Sequence, residues 1–230
     1  MNNNKKIIIG VLALLVVITM GYALFSETVT IGGTAKGTGN LDVIFESAYV
    51  FSENGASGTK VSISSDKKNL IINDVNLHYP GATVTIKYKI KNNESIPAVF
   101  SRKTTNLSED ELFDNAISAT SSVKNVLYLE PGEIREDEFN FTWQENDGES
   151  PTYKFNNINA DFGIVYNQAN DKIDACDKLD ILSNKISEAV YNDSSILDEY
   201  DINGDSYTDN VDATMVKNFM YQNLHCPNMK

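Results

Sequence analysis

The sequence predicts a mainly β protein, an antiparallel β-sandwich of jelly-roll type followed by a small α-helical module. Three observations predict it. From Leu41 to about Tyr166 apolar residues recur with period two, the signature of half-buried strands. Turn chemistry punctuates that stretch, at Asn54-Gly55, Tyr79-Pro80-Gly81, Lys91-Asn92-Asn93, Glu130-Pro131-Gly132 and Asn146-Asp147-Gly148. After Asn167 the apolar period becomes helical.

Residues 1–23 read as an export signal. Met1 to Lys6 is polar and basic, Ile7 to Met20 is apolar, and Gly21-Tyr22-Ala23 supplies the small residues of a cleavage region. Stretched to Phe25, the apolar run reaches the lower limit for spanning a bilayer, so a retained anchor is the alternative. No second apolar segment of that length follows, and membrane association is expected only through an uncleaved signal. The destination is secreted, extracellular or cell-surface.

Residues 24–40 form an extended N-terminal segment. Thr28 to Asn40 is rich in Thr and Gly and poor in apolar residues. It either pairs with the exposed edge of a neighbouring subunit or forms the first strand of its own sandwich.

Residues 41–168 supply the sandwich. Leu41-Val43-Phe45, Val84-Ile86-Tyr88-Ile90, Phe139-Phe141-Trp143 and Phe162-Ile164-Tyr166 alternate with polar neighbours. Many short strands at this spacing suit a sandwich. One helical interruption is expected, because Ser108-Glu109-Asp110-Glu111 has capping-box form and leads into Leu112, Phe113 and Ile117.

Residues 169–230 supply the helical module, with the polar stretch Asn167 to Lys172 as the boundary. Leu179, Leu182, Ile186, Ala189 and Val190 share one helix face, and Val211, Met215, Phe219 and Met220 another. About 60 residues make a small core, of the size that leans on a metal or a disulfide.

Composition excludes several functions. The formal net charge is −13, which repels nucleic acid and favours cations. Catalytic signatures are missing from the pattern. His78 and His225 lie far apart, no His-Glu-x-x-His helix sets two imidazoles on one face, and no Ser sits in a nucleophile elbow. Glu136-Asp137-Glu138 and Asp198-Glu199 read as solvated charge. The expectation is a non-enzyme; a secreted peptidase or glycan-active protein is the alternative of a different class.

The chemistry is concentrated between Asp201 and Asp212. Asp201, Asn203, Asp205, Asp209 and Asp212 place side-chain oxygens at positions 1, 3, 5, 9 and 12 of a loop, and Tyr207 offers its backbone carbonyl at position 7. A hard cation such as Ca²⁺ takes six to eight oxygens, and this spacing wraps one chain around a single ion. Metal binding and helix packing would then be one event, so that chelation melts residues 170–230 and spares the sandwich. The bland alternative is a solvated acidic turn capping a helix. Position 6, usually Gly, is Ser206, and positive φ there costs roughly 1 kcal/mol.

With Asp rather than Glu at position 12, the run Asp201 to Tyr221 resembles a type I dockerin repeat, the module that docks proteins onto cohesin domains. The resemblance implies a cohesin-type partner and a contact face beginning at Asn210 and Val211. It also implies a degenerate first repeat around Asn170 to Val190. There Asp174 and Asp177 match positions 9 and 12, Ala175 and Cys176 match 10 and 11, and Tyr166 and Gln168 stand in place of the first ligands. Cys176 would open the first helix. In dockerins the two helices are antiparallel, which lets Cys176 meet Cys226 in a disulfide; two free thiols are the alternative.

At the other end, Gly21 to Glu27, Thr34-Ala35-Lys36-Gly37 and Gly39-Asn40-Leu41-Asp42-Val43 resemble the start of the TasA/camelysin family of bacterial surface and biofilm-matrix proteins. The likeness extends over most of residues 5–168, including Tyr79-Pro80-Gly81-Ala82 and Glu130-Pro131-Gly132-Glu133. It implies cleavage between Ala23 and Leu24 by a SipW-like signal peptidase. It also implies possible self-assembly by N-terminal strand exchange. The sequence therefore points first to a surface or matrix interaction protein that docks through a calcium-folded module. A fibre-forming matrix subunit is the second reading.

Overall fold

The alternation of Val84, Ile86, Tyr88 and Ile90 buries all four side chains and makes Thr83–Asn92 the strand β5, central to one sheet. It pairs antiparallel with β1 (Val43–Asn54) and β9 (Ile134–Trp143), and β7 (Ile117–Ser121) closes the order β1-β5-β9-β7. The register sets Ile86 opposite Phe139 and Val84 opposite Phe141, so apolar side chains share one face. These assignments come from a computed structural model, which describes residues 41–108, 116–144, 154–191 and 198–227. The signal region, the Ala23/Leu24 cleavage point, the segment 24–40, the turn at Asn146 and residues 109–115 lie outside them. Ile117, expected on a helix face, belongs to strand β7 instead.

A second antiparallel sheet contains β2 (Ala56–Ser57), β4 (Asn69–Leu77), β10 (Phe155–Gln168), β6 (Ala98–Leu107) and β8 (Tyr128–Leu129) in the order β2-β4-β10-β6-β8, with β3 (Lys60–Ile63) also on β4. The apolar faces of the two sheets meet. Phe162 of β10 lies 6.1 Å from Phe45, 5.7 Å from Tyr88 and 4.9 Å from Phe139, ring centre to ring centre. Burying each such side chain contributes on the order of 2 kcal/mol. The Tyr79-Pro80-Gly81 turn works because Gly81 takes φ +84 while the Ala82 amide donates to the Tyr79 carbonyl at 3.0 Å.

Among the described residues, which are mainly β, two α-helices follow the sheets. Asp171 caps the first, its Oδ1 accepting from the amides of Ile173 and Asp174. This helix, α1 (Lys172–Tyr191), buries Ala175, Cys176, Leu179, Leu182, Ser183 and Ile186. The second, α2 (Asn210–Phe219), runs on into a π-type turn at Met220–Leu224 that ends on His225 with φ +52. The helices touch through Ser183, whose hydroxyl donates to the Ala213 carbonyl at 3.1 Å.

Details of the helical region differ from the sequence reading. Tyr166 and Gln168, which the repeat register puts in place of the first ligands, lie in β10, a strand that ends at Gln168 as the 41–168 sandwich boundary predicts. The helix then opens at Lys172, four residues before Cys176, so Asp174 and Asp177 are helical. Asp174 pairs with Lys178 and accepts from the Asn170 amide. The buried apolar stripe of α2 runs through Ala213 and Val216 and continues to Met220 in the π-type turn, and Val211 is exposed. Residues 41–230 form one compact unit, so both sheets and both helices share it. Among the described residues no helix is long and apolar enough to cross a membrane.

Candidate functional site

The acidic loop folds by turning its own carboxylates onto its own amides. Asp201 Oδ1 accepts from Gly204 N at 2.7 Å and Asp205 N at 3.2 Å, and its Oδ2 from Ser206 N at 3.1 Å. Asp212 reaches back from the far end, with Oδ1 accepting from Ile202 N at 2.8 Å and Asn203 N at 3.2 Å. Its Oδ2 accepts from Asp209 N at 2.8 Å, while Asp209 accepts from Val211 N at 2.6 Å. Positions 9 and 12 thus also form the capping box of α2. Asp201 and Asp212 are both buried. Burial pushes the Asp212 carboxyl up, while the three amides and the neighbouring Asp201 act as smaller influences.

Asn203 and Asp205 hold each other outside this knot, Asn203 Nδ2 donating to Asp205 Oδ2 at 2.7 Å. Tyr207 is exposed, and its amide donates to Asp205 Oδ1 at 2.9 Å. Ser206 takes φ +78, the left-handed conformation that usually selects Gly at this position. A serine has a local use here, since its hydroxyl bonds that of Ser118 on β7.

That bond is one of several joining the loop to the sheets. Lys103 of β6 is buried, and its ammonium donates to Asp201 Oδ2 at 3.1 Å and to the Ser121 carbonyl at 2.9 Å. Val123 N donates to Ile202 O at 3.0 Å, and Gly204 packs on the Ser121–Ser122 backbone. Arg102 faces Glu199 at 3.7 Å. Beside these contacts lies a cleft of about 290 Å³, lined among others by Lys103, Thr105, Ile117, Ser118 and Asp201. Cys176 and Cys226 are joined by a disulfide with Cα atoms 5.8 Å apart, which ties the start of α1 to the end of the chain's second helix.

In kind, the donors of this loop fit a hard cation: carboxylates, an amide oxygen and a backbone carbonyl on one short turn. In arrangement, the carboxylates are engaged with backbone amides and with Lys103. Among the described residues no group of three or more His, Cys, Asp or Glu side chains is set to hold a metal ion. Asn210 and Val211 are both exposed at the start of α2, on the side away from its buried stripe.

Lys103, Ser118 and Gly204 were not singled out by the sequence. The only trace is a lysine on the inward-facing side of an otherwise ordinary strand. A second unforeseen pair is Ser57 and His78, with Oγ and Nε2 2.9 Å apart. His78 Nδ1 is buried without a hydrogen-bond partner, so no carboxylate orients the ring as hydrolytic triads require. The chain matches no family model, and no curated protein or solved structure matches it at a significant level.

Proposed function

We propose that this chain is an exported, non-catalytic surface or matrix protein. Its two sheets act as a displayed β-sandwich, and residues 169–230 act as a dockerin-like module that binds one Ca²⁺ and docks onto a cohesin-type partner. The observation that carries this reading is the Asp201–Asp212 loop. Its oxygens keep the 1, 3, 5, 7, 9, 12 spacing of a single-chain calcium site. The loop passes directly into α2, and the docking residues Asn210 and Val211 stand exposed where it does so.

In this reading calcium has a structural role. It offsets two of the four negative charges of Asp201, Asp205, Asp209 and Asp212 and rigidifies the start of α2, so the partner meets a preformed face. The test is calorimetric titration of the full chain with calcium, followed by capture on immobilised type I cohesins with and without chelator. One calcium per chain with calcium-dependent capture supports the reading; absence of calcium binding rejects it.

A second reading, the fibre-forming subunit, is favoured by the position of β1. This strand is at the sheet edge, it presents Tyr49 and Phe51 to solvent, and residues 28–40 directly precede it. Deleting residues 24–40 separates the two, since it abolishes strand-exchange assembly and leaves cohesin capture intact.

A further inference from the structure

We infer that Lys103 is a tethered counter-cation of the acidic loop, holding it folded without metal and setting how strongly it takes calcium. This rests on the reading of Asp201–Asp212 as a calcium loop and names how that site is regulated.

The argument begins with the Asp201 carboxylate, which offers about four lone-pair directions. Four donors converge on it: the amides of Gly204, Asp205 and Ser206, and the Lys103 ammonium. The three amides are part of the turn itself, and a cation entering the loop leaves them in place. Among the described residues Lys103 is the one donor to Asp201 that comes from elsewhere in the chain, 98 residues away. A calcium ion that binds Asp201 at position 1 therefore competes with Lys103 for the same oxygens.

Charge gives the competition its sign. Four aspartates crowd a loop of twelve residues, and one fixed positive charge lies within hydrogen-bonding distance of the first. Both members of that pair are nearly sealed from solvent, with side chains 2% and 1% exposed. Screening by water and salt is correspondingly weak, so the ammonium attracts the loop and repels an incoming dication across the same short distance. The Ser121 carbonyl, also bonded to Lys103, gives the ammonium a second partner when calcium takes Asp201. Metal-free, the loop stays docked on β6 and β7 through Lys103. Calcium-loaded, it trades that link for the ion.

The test compares the full chain with its Lys103→Met and Lys103→Arg variants, by calcium calorimetry and by thermal melting in chelator and in saturating calcium. Lys103→Met is expected to bind calcium at least tenfold more tightly than the parent. It should also melt at lower temperature in chelator and regain most of the difference in calcium. Lys103→Arg keeps the charge, so it should stay close to the parent in both measurements. Parent and Lys103→Met binding calcium with equal affinity would overturn the inference and leave the calcium reading standing. An Arg variant that behaves like the Met variant would also overturn it. If neither parent nor variant binds calcium, the calcium reading fails with it, and the chelator melts alone then show whether Lys103 stabilises the loop.

Discussion

Gly204 lies against Ser122 so closely that a Cβ on it would fall 2.7 Å from the Ser122 amide nitrogen and 3.0 Å from the Ser121 carbonyl carbon. It also takes φ +79. The loop is therefore seated on backbone rather than on a side chain that could swing aside. Gly204→Ala meets two penalties at once, the left-handed conformation and the steric displacement of the loop from the sheet. Together they should cost about 2–4 kcal/mol. The urea midpoint of the full chain should fall accordingly, and an unchanged midpoint would mean the loop is not held on Ser122.

The Cys176–Cys226 disulfide spans 50 residues of sequence. On the chain-entropy account, closing such a loop in the unfolded state contributes roughly 4 kcal/mol. Cys176→Ser should lower stability by about that amount under oxidising conditions. Added reductant should bring the parent to the same value and leave the variant unmoved. A reductant effect on the variant of equal size would place the sensitivity elsewhere.

The strands and helices were largely legible because each is a local pattern. Val84 to Ile90 announces its burial by alternation alone, and Leu179, Leu182 and Ile186 announce a helix face. The loop was legible as a spacing of oxygens. Lys103 was not, because its partner Asp201 is brought to it by the fold and leaves no trace in the neighbouring residues. The end of β10 at Gln168 agrees with the alternation of Phe162, Ile164 and Tyr166; what the repeat register misses is that pairing of Tyr166 and Gln168 with Phe100 and Ala98 on β6 keeps both residues in the strand. The one-residue rotation of the α2 stripe has a local cause. Asp212 must point inward to reach the amides of Ile202 and Asn203, which turns Val211 outward.

Phe162 is fully buried and touches Phe45, Tyr88 and Phe139 across the two sheets. Phe162→Ala removes an aromatic ring from a site walled by other rings that collapse poorly. The expected loss is about 3–5 kcal/mol, read from chemical denaturation. A loss below about 1 kcal/mol would show that the two apolar faces are not packed as described.

Val211 is 49% exposed and lies outside the buried stripe of α2. Val211→Asp puts a carboxylate in the first turn of a helix, where the macrodipole favours it, so stability should stay within about 0.5 kcal/mol. Cohesin capture should nonetheless be lost, because an unpaired charge would be desolvated in the interface. A variant that melts like the parent and still binds would exclude Val211 from the docking face.

Asp137, which the sequence places among solvated charges, is buried instead and gives the clearest pH dependence. Burial raises its carboxyl to about 7 from an ordinary 3.8, against the amides of Asn125 and Glu138 and the charge of Lys124, which act to lower it. Below pH 4 the folded and unfolded chains both hold the proton, and the contribution of Asp137 to stability is at its full value. Between about 4 and 7 the unfolded chain has released the proton and the folded chain has not, so stability falls as pH rises, by up to about 1.4 kcal/mol per pH unit. Above 7 both states are ionised and the loss levels off. Carboxylates held below their ordinary range, such as Asp66 with its Ser64 hydrogen bond and Asp174 beside Lys178, slope the other way. Their effect is confined to more acid pH, because they keep their charge down to lower pH in the fold. Asp137→Asn cannot ionise, so the difference in stability between variant and parent should grow in the variant's favour from pH 4 to pH 7. Its amide makes one fewer acceptor oxygen for Asn125 and Glu138, which sets the variant lower at acid pH without altering that trend. Parallel stability curves for the two proteins across this range would mean that Asp137 ionises in the folded state as freely as it does in the unfolded chain.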